Sequence, residues 1–172
     1  ETASDRETLA ALGLEKFPPE VRLAGPVRAG DTDLSDLVFV ALPPEHAAEA
    51  EIAAGATVTT IENLASFNRY VREARAPGEV AVYTGGYPSS AVAPLLAAIG
   101  PRAGACYHWG DIDPAGLRIA VNVGRHLGMF PTLWRMDPDL ARRHGRPADR
   151  RYTGAPPPGV PADYIALADF LA

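Results

Sequence analysis

The feature that most constrains this chain is an alternation of short strand-like runs and helix-period segments between residues 58 and 136. Val58-Thr59-Thr60-Ile61 is β-branched and strand-like, and Asn63 can cap a helix whose apolar face is Leu64, Phe67 and Val71. Pro77-Gly78 breaks the pattern before it restarts. Val80-Ala81-Val82-Tyr83 reads as the next strand and Gly85-Gly86 as a turn, after which Val92, Leu95, Leu96 and Ile99 recur at helical spacing. Pro94 falls in the first turn of that helix, where a missing N–H costs little. Ala105 to Trp109 forms a third strand; Asp113 then serves as an N-cap, Pro114 takes the first helical position, and Leu117, Ala120, Val121 and Gly124 share a face. Thr132 to Met136 is the fourth strand. Parallel strands need crossover connections of about this length. The pattern therefore predicts right-handed βαβ units in an α/β fold: a mostly parallel sheet of about four core strands with helices on both faces.

The flanks are less regular. Leu37 to Leu42 is a continuous apolar run ending at Pro43-Pro44, read as a buried strand, and an Ala/Glu-rich helix is expected from about Pro44 to Ala54, stopped by Gly55. Residues 1–35 mix a short periodicity at Leu9, Leu12 and Leu14 with Pro18, Pro19, Gly25, Pro26 and Gly30, and read as an irregular lead-in. Residues 36–140 form the α/β domain, and 141–172 a C-terminal extension whose last helix, around Tyr164 to Leu171, docks back.

Composition narrows the function classes. With 172 residues and 47% hydrophobic content the chain supports one well-packed domain. Sixteen basic against 21 acidic residues give a net charge of −5, which lacks the footprint of a self-sufficient DNA binder. If the chain acts on DNA, something else holds the DNA. Cys106 is the single cysteine, so neither an internal disulfide nor a cysteine-based zinc site is available, in keeping with a cytoplasmic protein. No stretch approaches the length of an apolar membrane span, and no signal peptide opens the sequence.

In open α/β sheets ligands bind outside the carboxyl ends of the strands. Those ends carry Glu62, then Gly85-Gly86, then Asp111-Ile112-Asp113, then Asp137. Crowded carboxylates repel one another and are relieved by a raised pKa or a divalent cation, and an all-oxygen set favours Mg²⁺, with Mn²⁺ as a substitute. Each residue also has a plainer reading. Asp113 before Pro114 is a good cap, Asp111 a turn residue, Glu62 a solvated strand end, and Gly85-Gly86 a tight turn; a phosphate approaching the bare backbone is the functional alternative for the glycines. Ser89 and Ser90 read as caps, and His108 and Trp109 as core residues closing a buried strand. Arg118 faces solvent or reaches a phosphate. Five arginines between Arg142 and Arg151 form either a solvated loop or a phosphate-backbone contact.

The order Glu at one strand end, Gly at the next and Asp-x-Asp at the third resembles the Toprim domain of topoisomerases, primases and related nucleases. The wording here is narrower: Ile61-Glu62-Asn63-Leu64 with Phe67, Thr84-Gly85-Gly86-Tyr87-Pro88-Ser89, Tyr107-His108-Trp109-Gly110-Asp111-Ile112-Asp113-Pro114-Ala115-Gly116, and Met136-Asp137. Over roughly residues 36–140 it resembles the C-terminal domain of the Wadjet nuclease subunit JetD, a relative of the topoisomerase VI A subunit. The resemblance implies a Toprim (Rossmann-like) fold and Mg²⁺ held by Glu62, Asp111 and Asp113, which are also the catalytic residues. Gly85, Gly86 and Arg118 would meet the substrate. The activity implied is cleavage of double-stranded DNA in plasmid defence or in a topoisomerase VI-like enzyme; water attack and tyrosyl transfer both stand open, and hydrolysis is the favoured route. Residues 1–35 would then be the tail of an N-terminal DNA-binding region. The implied partners are DNA, a condensin-like complex and a second copy of the chain. Two rival functions stand beside it. A haloacid-dehalogenase-type phosphatase would use Asp111 as nucleophile and Asp113 as acid/base, but wants its Asp-x-Asp after the first strand and a lysine downstream, whereas the only lysine is Lys16. A non-catalytic regulatory or scaffold domain would keep the fold and leave cutting to a partner.

Overall fold

The computed structural model describes residues 19–146 and 151–172, together with Thr8 and residues 11–13. The apolar periodicity at Leu9 and Leu14 falls outside the described residues. Within them lies a Rossmann-like α/β fold. Its six-stranded sheet has the order β4-β1-β7-β6-β8-β9, made of β1 (Val21–Ala24), β4 (Val40–Leu42), β6 (Ala56–Ile61), β7 (Val80–Tyr83), β8 (Ala103–Trp109) and β9 (Thr132–Leu133). The four strands β7, β6, β8 and β9 pair in parallel, and β1 and β4 add an antiparallel margin.

Two layers of helix cover this sheet, and the strands sort their side chains between them with period two. Val80 and Val82 pack into one core with Leu95, Leu96 and Ile99 of α3 (Val92–Ile99) and with Ile119 and Val123 of α4 (Pro114–Leu127). Ala81, between them in sequence, belongs to the opposite core with Phe67, Tyr70 and Val71 of α2 (Leu64–Glu73). Burial of alternate residues on both faces is the expected signature of a covered parallel sheet. The other side of α4 meets a third cluster, where Leu117 and Val121 pack with Met136, Tyr152, Tyr164 and Leu167. That cluster seats α6 (Ala162–Leu171), so the last helix docks back as its apolar residues suggest. No helix among the described residues is long and apolar enough to cross a membrane.

Several elements differ from the sequence reading, each for a local reason. The stretch read as an irregular lead-in contains β1, β2 (Val27–Ala29) and β3 (Thr32–Asp33), so the sheet begins before residue 36. Gly25 there is not a simple breaker: it has φ +110°, and a Cβ would stand 2.2 Å from the Glu79 carbonyl oxygen. The expected strand from Leu37 shrinks to the antiparallel edge strand β4, leaving Leu37 and Val38 exposed. The Ala/Glu-rich helix stops early as α1 (Pro44–Ala48), because Ala50 and Ile52 alternate with exposed Glu51 and pair with β2 as β5 (Ala50–Ile52). In this case tertiary pairing overrides helix propensity. β9 ends at Leu133 rather than Met136, and the chain bends at Arg135, which has φ 57°.

Candidate active site

Backbone hydrogen bonds hold the carboxyl ends of three strands level. Ile61 lies opposite both Tyr83 and Trp109. One residue further on, Thr84 N donates to Ile61 O at 2.9 Å and Glu62 N donates to Trp109 O at 2.9 Å. Glu62, Gly85 and the Gly110-Asp111 turn therefore emerge at one edge, as the alternation predicts for parallel neighbours. Glu62 is not needed as a cap, because Asn63 Oδ1 accepts from Ala65 N at 2.9 Å and from Ser66 N at 3.2 Å.

A cavity of about 660 Å³ opens between these ends, and Glu62, Asn63, Asn68, Tyr83, Gly85, Gly86 and Asp111 are among its lining residues. Glu62 Oε2 accepts from Asp111 N at 3.3 Å, which ties the two acidic positions together across the strands. Gly85 and Gly86 have φ of 66° and 96°, so the tight-turn requirement is real, and both also leave the cavity rim without side chains.

Asp113 plays the cap role that its sequence context suggests. Its Oδ1 accepts from Gly116 N at 2.7 Å at the start of α4. Gly116 is required there, since a Cβ would stand 2.1 Å from the Asp111 carbonyl oxygen. The helix thus begins flush against the turn that carries Asp111. Asp137 is likewise a cap: its Oδ1 accepts from Leu140 N at 2.8 Å, opening α5 (Pro138–His144). Arg118 is not among the cavity's lining residues and lies over the Tyr152 ring, 5.3 Å from its centroid.

The electrostatics are those of carboxylates short of a counter-charge. Partial burial raises the Glu62 pKa, and the negative charges of Asp111 and Asp113 push it the same way, against the hydrogen bond from Asp111 N. None of the ion pairs among the described residues involves Glu62, Asp111 or Asp113. Oxygen donors left without a cationic side chain suit a hard divalent ion, so the donor set fits Mg²⁺. As the side chains lie, no three His, Cys, Asp or Glu among the described residues form a ready cage. Glu62 and Asp111 line the cavity, whereas Asp113 spends one oxygen on its cap.

One residue read as a satisfied core group proves otherwise. His108 is 0% exposed; its Nδ1 lies 2.9 Å from Thr60 Oγ1, but its Nε2 has no hydrogen-bond partner. Burial depresses its pKa to about 4, so the ring is neutral at physiological pH. The Gly110 position separates it from the carboxylates: a Cβ there would be 2.6 Å from Glu62 Oε2 and 2.9 Å from His108 Nε2. No local pattern in the sequence marks this, because the approach of His108 to Glu62 depends on the register of two strands and on the missing side chain of Gly110.

The arginine-rich stretch borders a second cavity, about 820 Å³, lined by Ile112, Arg142, His144, Arg146, Arg151 and Phe170 among others. Residues 147–150 lie outside the described residues. Arg142 pairs with Asp139 at 2.6 Å and sits over Phe170. Because Ile112 separates Asp111 from Asp113, this basic groove starts at the acidic turn.

The family model described as Wadjet protein JetD, C-terminal, matches residues 13–155. No curated protein matches the chain.

Proposed function

Because this chain belongs to the Wadjet JetD C-terminal family, we propose that it is the Toprim-type catalytic domain of a Wadjet defence nuclease, which cuts double-stranded DNA with Mg²⁺. Membership of the family implies a part in Wadjet defence. The nuclease reading goes further, and one observation carries it: Glu62 and Asp111, from adjacent parallel strands, face a common cavity with no cationic side chain paired to either.

Glu62 and Asp111 would hold the ion, with Asp113 contributing charge from the oxygen its cap leaves free. When bound, Mg²⁺ neutralises charge on a phosphodiester and activates a water for attack. The protein's own residues supply the rest. Gly85 and Gly86 leave room for a phosphate beside the backbone, and the groove from Ile112 to Arg151 offers arginines to the flanking strand. Were Glu62 not a ligand, it would instead give a proton to the leaving oxygen. With a net charge of −5 the chain depends on other parts for affinity, which suits DNA presented by a condensin-like complex, and a second copy of the chain would supply the second cut.

The test is plasmid cleavage by the full-length enzyme within its defence complex. Asp111→Ala and Glu62→Ala should each abolish cleavage while complex assembly is retained, and undiminished cleavage by either variant overturns the reading. A second reading, a non-catalytic scaffold, is favoured by the absence of a ready three-ligand cage among the described residues. It requires that the complex cut DNA equally well with both residues replaced.

A further inference from the structure

An edge of carboxylates does not by itself define a metal site, but here a second observation points into it. His108 is completely buried, and its Nε2 has no partner. Leaving a buried polar atom unpaired forfeits its solvation, so such atoms are uncommon in native interiors. The kind of atom it is depends on the neighbouring hydroxyl. Thr60 Oγ1 donates to Tyr107 O at 3.1 Å and lies 2.9 Å from His108 Nδ1. A hydroxyl has one proton; with it on the carbonyl, Nδ1–H donates to Thr60 Oγ1 and Nε2 presents a bare lone pair.

That lone pair and Glu62 Oε2 flank the same space, the one that a Cβ on Gly110 would fill. In that tautomer both atoms are acceptors. Two acceptors facing one another call for an electrophile between them, and the neighbouring charges of Asp111 and Asp113 favour a doubly charged one. An imidazole whose Nδ1–H is held by a buried acceptor, leaving Nε2 free, has the orientation of a metal-ligating histidine. We infer that His108 is a nitrogen ligand, through Nε2, of the cation held by Glu62 and Asp111. Thr60 is then the positioning residue that fixes the ring, and Gly110 is the residue whose missing side chain lets ring and carboxylate reach one ion.

This inference rests on the metal-binding reading of the same edge. It alters the expected chemistry, because a nitrogen donor in an oxygen set favours Mn²⁺ over Mg²⁺, which prefers oxygen alone. The probe is Mn²⁺ added to the whole chain carrying ¹⁵N-labelled histidine, read by pulsed electron paramagnetic resonance. His46, His126 and His144 are all replaced by Gln, so that His108 is the only histidine and the buried core is untouched. The expected result is bound Mn²⁺ with a resolved ¹⁵N hyperfine coupling, lost in His108→Gln. Bound Mn²⁺ with no ¹⁵N coupling overturns the histidine ligand and leaves the carboxylate site standing. No Mn²⁺ bound at millimolar concentration overturns the metal reading itself, and the ligand with it. Gly110→Ala gives an independent check: its Cβ should remove the coupling even where Mn²⁺ is retained.

Discussion

At the scale of single residues, Glu62 is the group whose environment says most. Its pKa is raised in the folded chain by burial and by the charges of Asp111 and Asp113. An acid that holds its proton more tightly when folded leaves the unfolded chain with fewer bound protons, so stability falls as pH rises through the window above about 4.5. Glu62→Gln should therefore raise the melting temperature in chelator at pH 8, and the gain should vanish below pH 4. Thermal denaturation across pH reads this directly. Taking the difference between the two proteins matters, because His108 contributes with the opposite sign. Its pKa falls from 6.5 to about 4, so its contribution is present above pH 6.5 and is lost as pH drops toward 4. By size this is about 3 kcal/mol. Gly110→Ala belongs at the same scale. Crowding two side chains at 2.6 and 2.9 Å, it should cost about 1–3 kcal/mol in urea denaturation.

At the scale of elements, the start of α4 separates two jobs that the sequence leaves superimposed on Asp113. The cap needs only an acceptor oxygen, whereas a cation needs charge. Asp113→Asn should keep stability within about 0.5 kcal/mol, and Asp113→Ala should lose about 1 kcal/mol. Both should weaken Mn²⁺ binding, measured by calorimetry, if the free oxygen carries charge to the site. This element was legible in advance because caps and strand ends are local. Asn63, Asp113 and Pro114 occupy the positions their types predict, and the three strands from Ala56 to Trp109 follow from period and spacing. What escaped is set by distant partners. β1 is four residues long and contains Arg22, and only its pairing with β4 and β7 makes it a strand. β5 interrupts an Ala/Glu-rich stretch for the same reason. His108 was read correctly as buried, but whether its second nitrogen finds a partner depends on Gly110 and Glu62, which no periodicity relates.

At the scale of the molecule, the C-terminal segment is part of the support for the site. Gly110 N donates to Met136 Sδ at 3.1 Å, and Met136 lies in the cluster formed by α4 and α6. Tyr164 OH donates to Pro131 O at 2.9 Å, and Asp163 Oδ2 accepts from Leu133 N at 2.7 Å, so α6 also clamps the end of β9. Leu167 is 0% exposed in that cluster. Leu167→Ala should cost about 2–5 kcal/mol of stability by denaturant unfolding. Through Met136 it should also speed amide exchange at Gly110, while a variant at exposed Ile165 leaves that exchange unchanged.

The placement of β1 has a consequence for how the protein is made. During synthesis β1 is followed by its outer neighbour β4, complete at Leu42, so this antiparallel pair is available before the parallel strands. The other edge of β1 waits for β7, which is complete only at Tyr83. Until then the nascent chain carries an open strand edge with Val21 and Leu23 uncovered. The parallel half accumulates afterwards, and the helix that clamps the end of β9, α6, follows all of its strands in the chain. The site edge is thus completed only after all four parallel strands and α6 have been made.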